Sequence, residues 1–107
     1  MDTFGELEQL VLLAVMQSGD DAYGVVVQTA ILRGARRNLT LGTIYKTLSR
    51  LEAKGFVTSD LGEPTAERGG RAKRYYHVSA AGRRALQHQL SALRAMAAGL
   101  DVGLETP

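Results

Sequence analysis

Residues 67–82, ERGGRAKRYYHVSAAG, set Arg68, Arg71, Lys73 and Arg74 around the pair Gly69-Gly70, then turn at once to Tyr75, Tyr76 and Val78. Glycine admits the positive φ angles of a tight tip, and cations carried there make charge-assisted hydrogen bonds to phosphate or carboxylate oxygens. A second basic run, RGARRN at 33–38, adds Arg33, Arg36 and Arg37. Catalysis would need a nucleophile or an acid–base pair with an orienting group, and no such constellation or phosphate-binding glycine loop is present. His77 and His88 stand apart without companions at metal-ligand spacing, and with no cysteine in the chain, disulfides and thiolate chemistry are excluded. The expectation is a protein that is not an enzyme, holds no cofactor or metal, and binds an anionic partner.

Charge distribution sharpens that expectation. Between Arg33 and His77 lie ten lysines and arginines against four acids, while the rest of the chain holds three against seven. Such asymmetry concentrates a positive field on one part of the molecule, as a polyanion partner requires; the plainer alternative is a solvated charged surface. At 107 residues one domain is expected. The longest apolar run, Leu10 to Met16, is far short of the roughly 18 residues that span a bilayer. No basic segment precedes a hydrophobic stretch as in a signal peptide, so the expected location is the cytoplasm, away from membranes.

The elements that must position the cations can be marked from their caps. Thr3 and Glu6 have capping-box spacing ahead of an apolar run that ends at Ser18-Gly19. Asp20 or Asp21 is placed to cap a second helix from about Ala22 to Arg33, with Gly34 as its stop. Thr40 caps a third helix closed by Gly55, and Ser79 caps a fourth from Ala80 to about Ala98. Between the last two, FVTSDL and AKRYYHV read as a hairpin with a long polar tip. The order α-α-α-β-β-α, mainly α with one small β-hairpin (α+β), is a winged helix-turn-helix. Residues 1–78 form the winged domain in this reading, 79–100 a dimerisation helix, and 101–107 a flexible tail.

At 100° per residue, Leu41, Ile44, Leu48 and Leu51 share one arc of the third helix and form its core stripe. The opposite side carries Gly42, Thr43, Lys46, Ser49, Arg50 and Ala53, with no acid among them. A helix that merely faces water more often mixes signs, because opposite charges four residues apart stabilise it. Small residues flanking Lys46 and Arg50 suit the major groove of a DNA duplex, where these cations reach guanine edges. Arg36, Arg37 and Thr40 lie at the entry to that helix, where phosphate contacts fix register. In the hairpin, alternation puts Tyr76 and Val78 on one face and Tyr75 and His77 on the other. The base of the wing is thereby anchored while its tip projects.

The fourth helix carries Leu86, Leu90, Leu93, Ala97 and Leu100 at spacings of four and three, a heptad seam. The first helix is apolar on more than one side, through Phe4, Leu7, Val11 and Ala14 with Leu10 and Leu13 beside them. Together they hold more apolar surface than one small core needs, so a homodimer is expected through Phe4, Leu7, Leu10, Val11 and the seam. Packing of the two helices within one subunit is the simpler alternative. Phe4, Tyr23 and Met96 are the residues a cleft between subunits would offer a small-molecule effector, although each reads first as core or surface. A winged helix used only for protein–protein contact is the competing function, disfavoured by the acid-free helix face and the basic wing.

LTLGTIYKTLSRLEAKGFV followed by ERGGRAKRYYHVSAAGRRAL resembles the PadR family of bacterial transcriptional regulators, and GELEQLVLLAV and DAYGVVV are similar to that family's first two helices. The likeness runs from residue 5 to about 90 and is greatest to the short members with one C-terminal helix. It implies a homodimeric winged-helix repressor on a near-palindromic operator, joined by its last helix, and an effector that relieves repression. By position it implies DNA contacts from Thr43, Tyr45, Lys46 and Arg50, from the wing residues Arg68, Gly69, Gly70, Arg71, Lys73 and Arg74, and a backbone phosphate contact from Tyr23. Many relatives have proline where this chain has Lys46, so their base preference does not carry over. The short C-terminus leaves little material for a separate ligand domain.

Overall fold

The computed structural model describes residues 3–63 and 72–100. Helix α1 (Glu6–Ser18) leads through a short 3-10 turn (Gly19–Asp21) into α2 (Gly24–Ala35), and α3 (Leu41–Ala53) follows. Strands β1 (Val57–Leu61) and β2 (Arg74–Val78) pair antiparallel, from Val57 opposite Val78 to Leu61 opposite Arg74, and α4 (Ala80–Ala97) ends the described chain. This is the winged helix-turn-helix expected from the sequence.

One core joins the elements. Leu12, Val11 and Val15 of α1, Val27 of α2, and Ile44, Leu48 and Leu51 of α3 are fully buried, along with Val57 of β1. Each such side chain stabilises the fold by about 1.5–3 kcal/mol. Phe56, Tyr76 and Leu86 join the same cluster from the hairpin and α4, so α4 begins inside the winged domain. At Gly82 a Cβ would overlap the carbonyl of Phe56, which shows how closely the first turn of α4 lies against the start of β1. Residues on both sides of the 78/79 boundary expected from the sequence contribute to this core.

Two caps are as read from the sequence. The Thr40 hydroxyl accepts from the Thr43 N–H at 3.1 Å, and that of Ser79 from the Gly82 N–H at 3.0 Å. Gly55 follows α3 at φ +82°. Three helix ends differ. α1 is capped at Gly5, whose N–H donates to the Glu8 carboxylate at 3.0 Å; Thr3 lies outside because Phe4 is drawn into the core, edge-on to Phe56. Gln89 of α4 holds that segment by accepting from the Phe4 N–H and donating to the Phe4 carbonyl, both at 2.7 Å. Asp20 and Asp21 are used up in the 3-10 turn, so α2 starts two residues late, with Tyr23 at its cap. α2 also runs past Gly34 to a left-handed Arg36 at φ 58°, whose N–H reaches the Leu32 carbonyl at 3.1 Å.

Candidate nucleic-acid interface

The exposed side of α3 follows from its core stripe. With Ile44, Leu48 and Leu51 buried, Gly42, Lys46, Ser49 and Arg50 are exposed, and Thr43 is half-buried. Thr40 is exposed as well, but its hydroxyl works inside the cap, accepting from the Thr43 N–H and donating to the Thr43 hydroxyl at 3.0 Å. Thr47 is buried despite its hydroxyl, because it donates to the Thr43 carbonyl one turn back at 2.9 Å. No carboxylate interrupts the outward face. Glu52, on its flank, is tied down: the Ser59 hydroxyl donates to it at 2.6 Å, and Arg74 donates to Ser59 at 3.0 Å.

The turn into α2 connects this helix to the wing. Tyr45 of α3 lays its hydroxyl on Gly24, where any Cβ would overlap the phenol. One residue earlier, the Tyr23 ring meets Tyr75 of β2 edge-to-face with centroids 5.7 Å apart. The Lys73 ammonium sits over the same Tyr23 ring, 4.3 Å from its centroid. Earlier still, the Ala22 carbonyl accepts from the Tyr76 N–H at 2.9 Å. Three consecutive residues thus touch α3, through Tyr45, and the base of the wing, through Tyr75, Lys73 and Tyr76.

On the wing, Gly62 donates its N–H to the Lys73 carbonyl at 2.7 Å, and its missing side chain leaves room for the Tyr75 ring. Lys73 and Arg74 are exposed, while Arg68, Gly69, Gly70 and Arg71 lie outside the described residues. Tyr76 turns inward, and burial pushes its hydroxyl above the ordinary tyrosine pKa, with Arg74 pulling the other way. Of the cations entering α3, Arg36 is exposed at the left-handed end of α2. Arg37 pairs instead with Glu6 at the start of α1. That exposed ion pair contributes under about 1 kcal/mol.

The residues expected at a dimer interface divide. Phe4, Val11 and Leu86 belong to the subunit's own core and have no surface left to give a partner. Leu7, Leu10, Leu90 and Ala97 are half-buried, while Leu93 and Leu100 are exposed. The three residues named for an effector cleft are likewise dispersed: Phe4 is core, Tyr23 grips the wing and Met96 is surface.

Sequence reasoning missed Gly24, Gly62, Tyr75, Ser59 and Thr47. Their roles depend on partners distant in the chain, and the sequence carried a local signal only for Tyr75, as the half-buried member of the strand alternation.

Among the described residues no helix is long and apolar enough to cross a membrane, and no cluster of three or more metal-ligating side chains occurs. No curated protein matches the chain. Solved structures do. A PadR family regulator from Eggerthella lenta is 26% identical with a TM-score of 0.66, over 95% of this chain and 88% of that one. One from Clostridium difficile is 23% identical with a TM-score of 0.67, over 86% and 91%. A PadR-like transcription factor from Bacteroides fragilis is 22% identical with a TM-score of 0.68, over 84% and 82%. The family model described as "Transcriptional regulator PadR-like family" matches residues 12–88, which takes in most of α1, all of α2, α3 and both strands, and the first half of α4. With that span and this fold, the chain belongs to the PadR-like family of transcriptional regulators.

Proposed function

We propose that this DNA-binding transcriptional regulator is a repressor that grips a near-palindromic operator as a homodimer, with α3 in the major groove and the wing along the phosphate backbone. The observation that carries the reading is the acid-free exposed face of α3, pinned through Tyr45 and Gly24 to the turn that also holds the wing. Lys46 and Arg50, with Thr43, Tyr45 and Ser49 beside them, read base edges and adjoining phosphates. Arg36, Arg37 and the wing cations Arg68, Arg71, Lys73 and Arg74 fix register on the backbone, Gly69 and Gly70 shaping the tip between them.

The homodimer follows from what α4 leaves uncovered. Leu93 and Met96 on α4, and Leu100 just beyond its end, are 54%, 78% and 64% exposed, whereas Leu86, the first member of the seam, is already in the core. Dimerisation therefore falls to residues 91–100, with Leu7, Leu10 and Leu90 at its edge. A place for an effector is the groove of about 350 Å³ between α1 and α4, lined by Leu13, Met16, Leu86, Leu90, Arg83 and Arg94.

A fluorescence-anisotropy titration on duplex DNA from upstream of the protein's own gene tests this reading. Affinity is expected to fall with salt at a log–log slope of about −0.9 per phosphate contact. Lys46→Ala is expected to weaken binding by about 1–3 kcal/mol and relax base preference, whereas Arg71→Ala weakens all sequences alike. Binding indifferent to salt and to both substitutions would leave the protein–protein module as the surviving reading.

A further inference from the structure

We propose that Tyr23 is a positioning residue: its ring, acting through Lys73, sets where the wing meets the phosphate backbone. The inference rests on the DNA-binding reading above and adds a mechanism to it. Tyr23 occupies the cap position of α2, yet its side chain makes no hydrogen bond to that helix. A tyrosine is a poor choice for capping in any case. What the ring does instead is visible on its surfaces: the edge contact with Tyr75 fixes its plane, and the Lys73 ammonium lies over its face.

A lysine stem on a hairpin loses rotamer freedom when it is held in one place. An aromatic face that attracts the ammonium meets part of that cost before DNA arrives. The backbone beneath is held as well, since the Lys73 carbonyl accepts from Gly62 and the neighbouring Tyr75 ring fills the space Gly62 leaves open. The cation is therefore presented from a fixed base, at the junction that also carries Tyr45. In this account the ring of Tyr23 matters and its hydroxyl does not, which separates it from a direct phosphate contact through the phenol.

The experiment compares Tyr23→Leu, Tyr23→Phe, Lys73→Ala and the Tyr23→Leu/Lys73→Ala double variant on the same upstream duplex across a range of salt. Tyr23→Leu is expected to weaken binding about two- to fivefold, Tyr23→Phe to restore it, and the double variant to bind no more weakly than Lys73→Ala alone. Lys73→Ala itself is expected to shallow the salt slope by about 0.9. Tyr23→Phe as weak as Tyr23→Leu, losses that multiply in the double variant, or Tyr23→Leu binding like wild type would each overturn the proposal. A measurement on the free wild-type protein stands independently of folding in the variants: the Lys73 Hε protons are expected to be shifted upfield by the Tyr23 ring in proton NMR spectra, and unshifted resonances would also overturn it. If the wild type fails to bind duplex at all, the DNA reading falls, while the resonance still decides whether the ring holds the lysine.

Discussion

Gly24 and Tyr45 occupy space that any larger residue at position 24 would need, because the phenol of α3 rests where a Cβ would stand. Gly24→Ala is expected to lower stability by about 1–3 kcal/mol, the usual penalty of overpacking, as read by urea denaturation. Tyr45→Ala in the same chain should recover most of the loss, since removing the ring empties the contested space; no recovery would place the strain elsewhere. Arg36 makes a different case. Its left-handed backbone at φ 58° costs about 1 kcal/mol that glycine would not incur. Arg36→Gly should therefore raise the unfolding free energy by about that amount while weakening DNA binding, with calorimetry and anisotropy moving in opposite directions. Neither residue's role was legible in the sequence. A glycine at the head of VVV reads only as a weak helix former, and Gly34 offered a more conventional stop than Arg36.

At the scale of the element, the sequence was informative wherever the deciding interaction is local. Thr40 and Ser79 each bond within three residues, so their caps could be read in advance. Ser79→Ala should cost more than the roughly 1 kcal/mol of an ordinary cap, because its hydroxyl also donates to the Gly55 carbonyl at 2.7 Å; a loss of no more than about 1 kcal/mol by thermal denaturation would deny the second bond any weight. The start of α1 was misplaced because Thr3 and Glu6 have the right spacing, but burial of Phe4 turns the chain before the helix begins. The start of α2 was misplaced because Asp20 and Asp21 were used in a 3-10 turn, and the grip on Tyr23 comes from a strand far along the chain. The acid-free face of α3 was legible for the opposite reason: one helix carries the whole pattern, core stripe and cations together.

For the whole molecule, the decisive question is which apolar residues belong to the subunit and which to the proposed pair. The heptad spacing of α4 could not tell them apart, since Leu86 and Leu93 satisfy the same periodicity, and only the fold shows the first buried and the second at the surface. Leu86→Ala is expected to destabilise the subunit by about 2–5 kcal/mol at any concentration. Leu93→Asp should leave the fold intact and make the protein monomeric by sedimentation; a dimer that survives it would move the interface off this part of α4. Gln89 stands between those two leucines, and its amide clasps the backbone of Phe4 from both sides. That clasp ties α4 at Gln89 to the segment leading into α1. If two subunits change their mutual angle, the bend has to fall in the outer turns of the helix, like a forearm pivoting beyond a strapped wrist. The gap between the two reading heads, and so the operator spacing they accept, would then be governed by the stiffness of a few exposed helical turns.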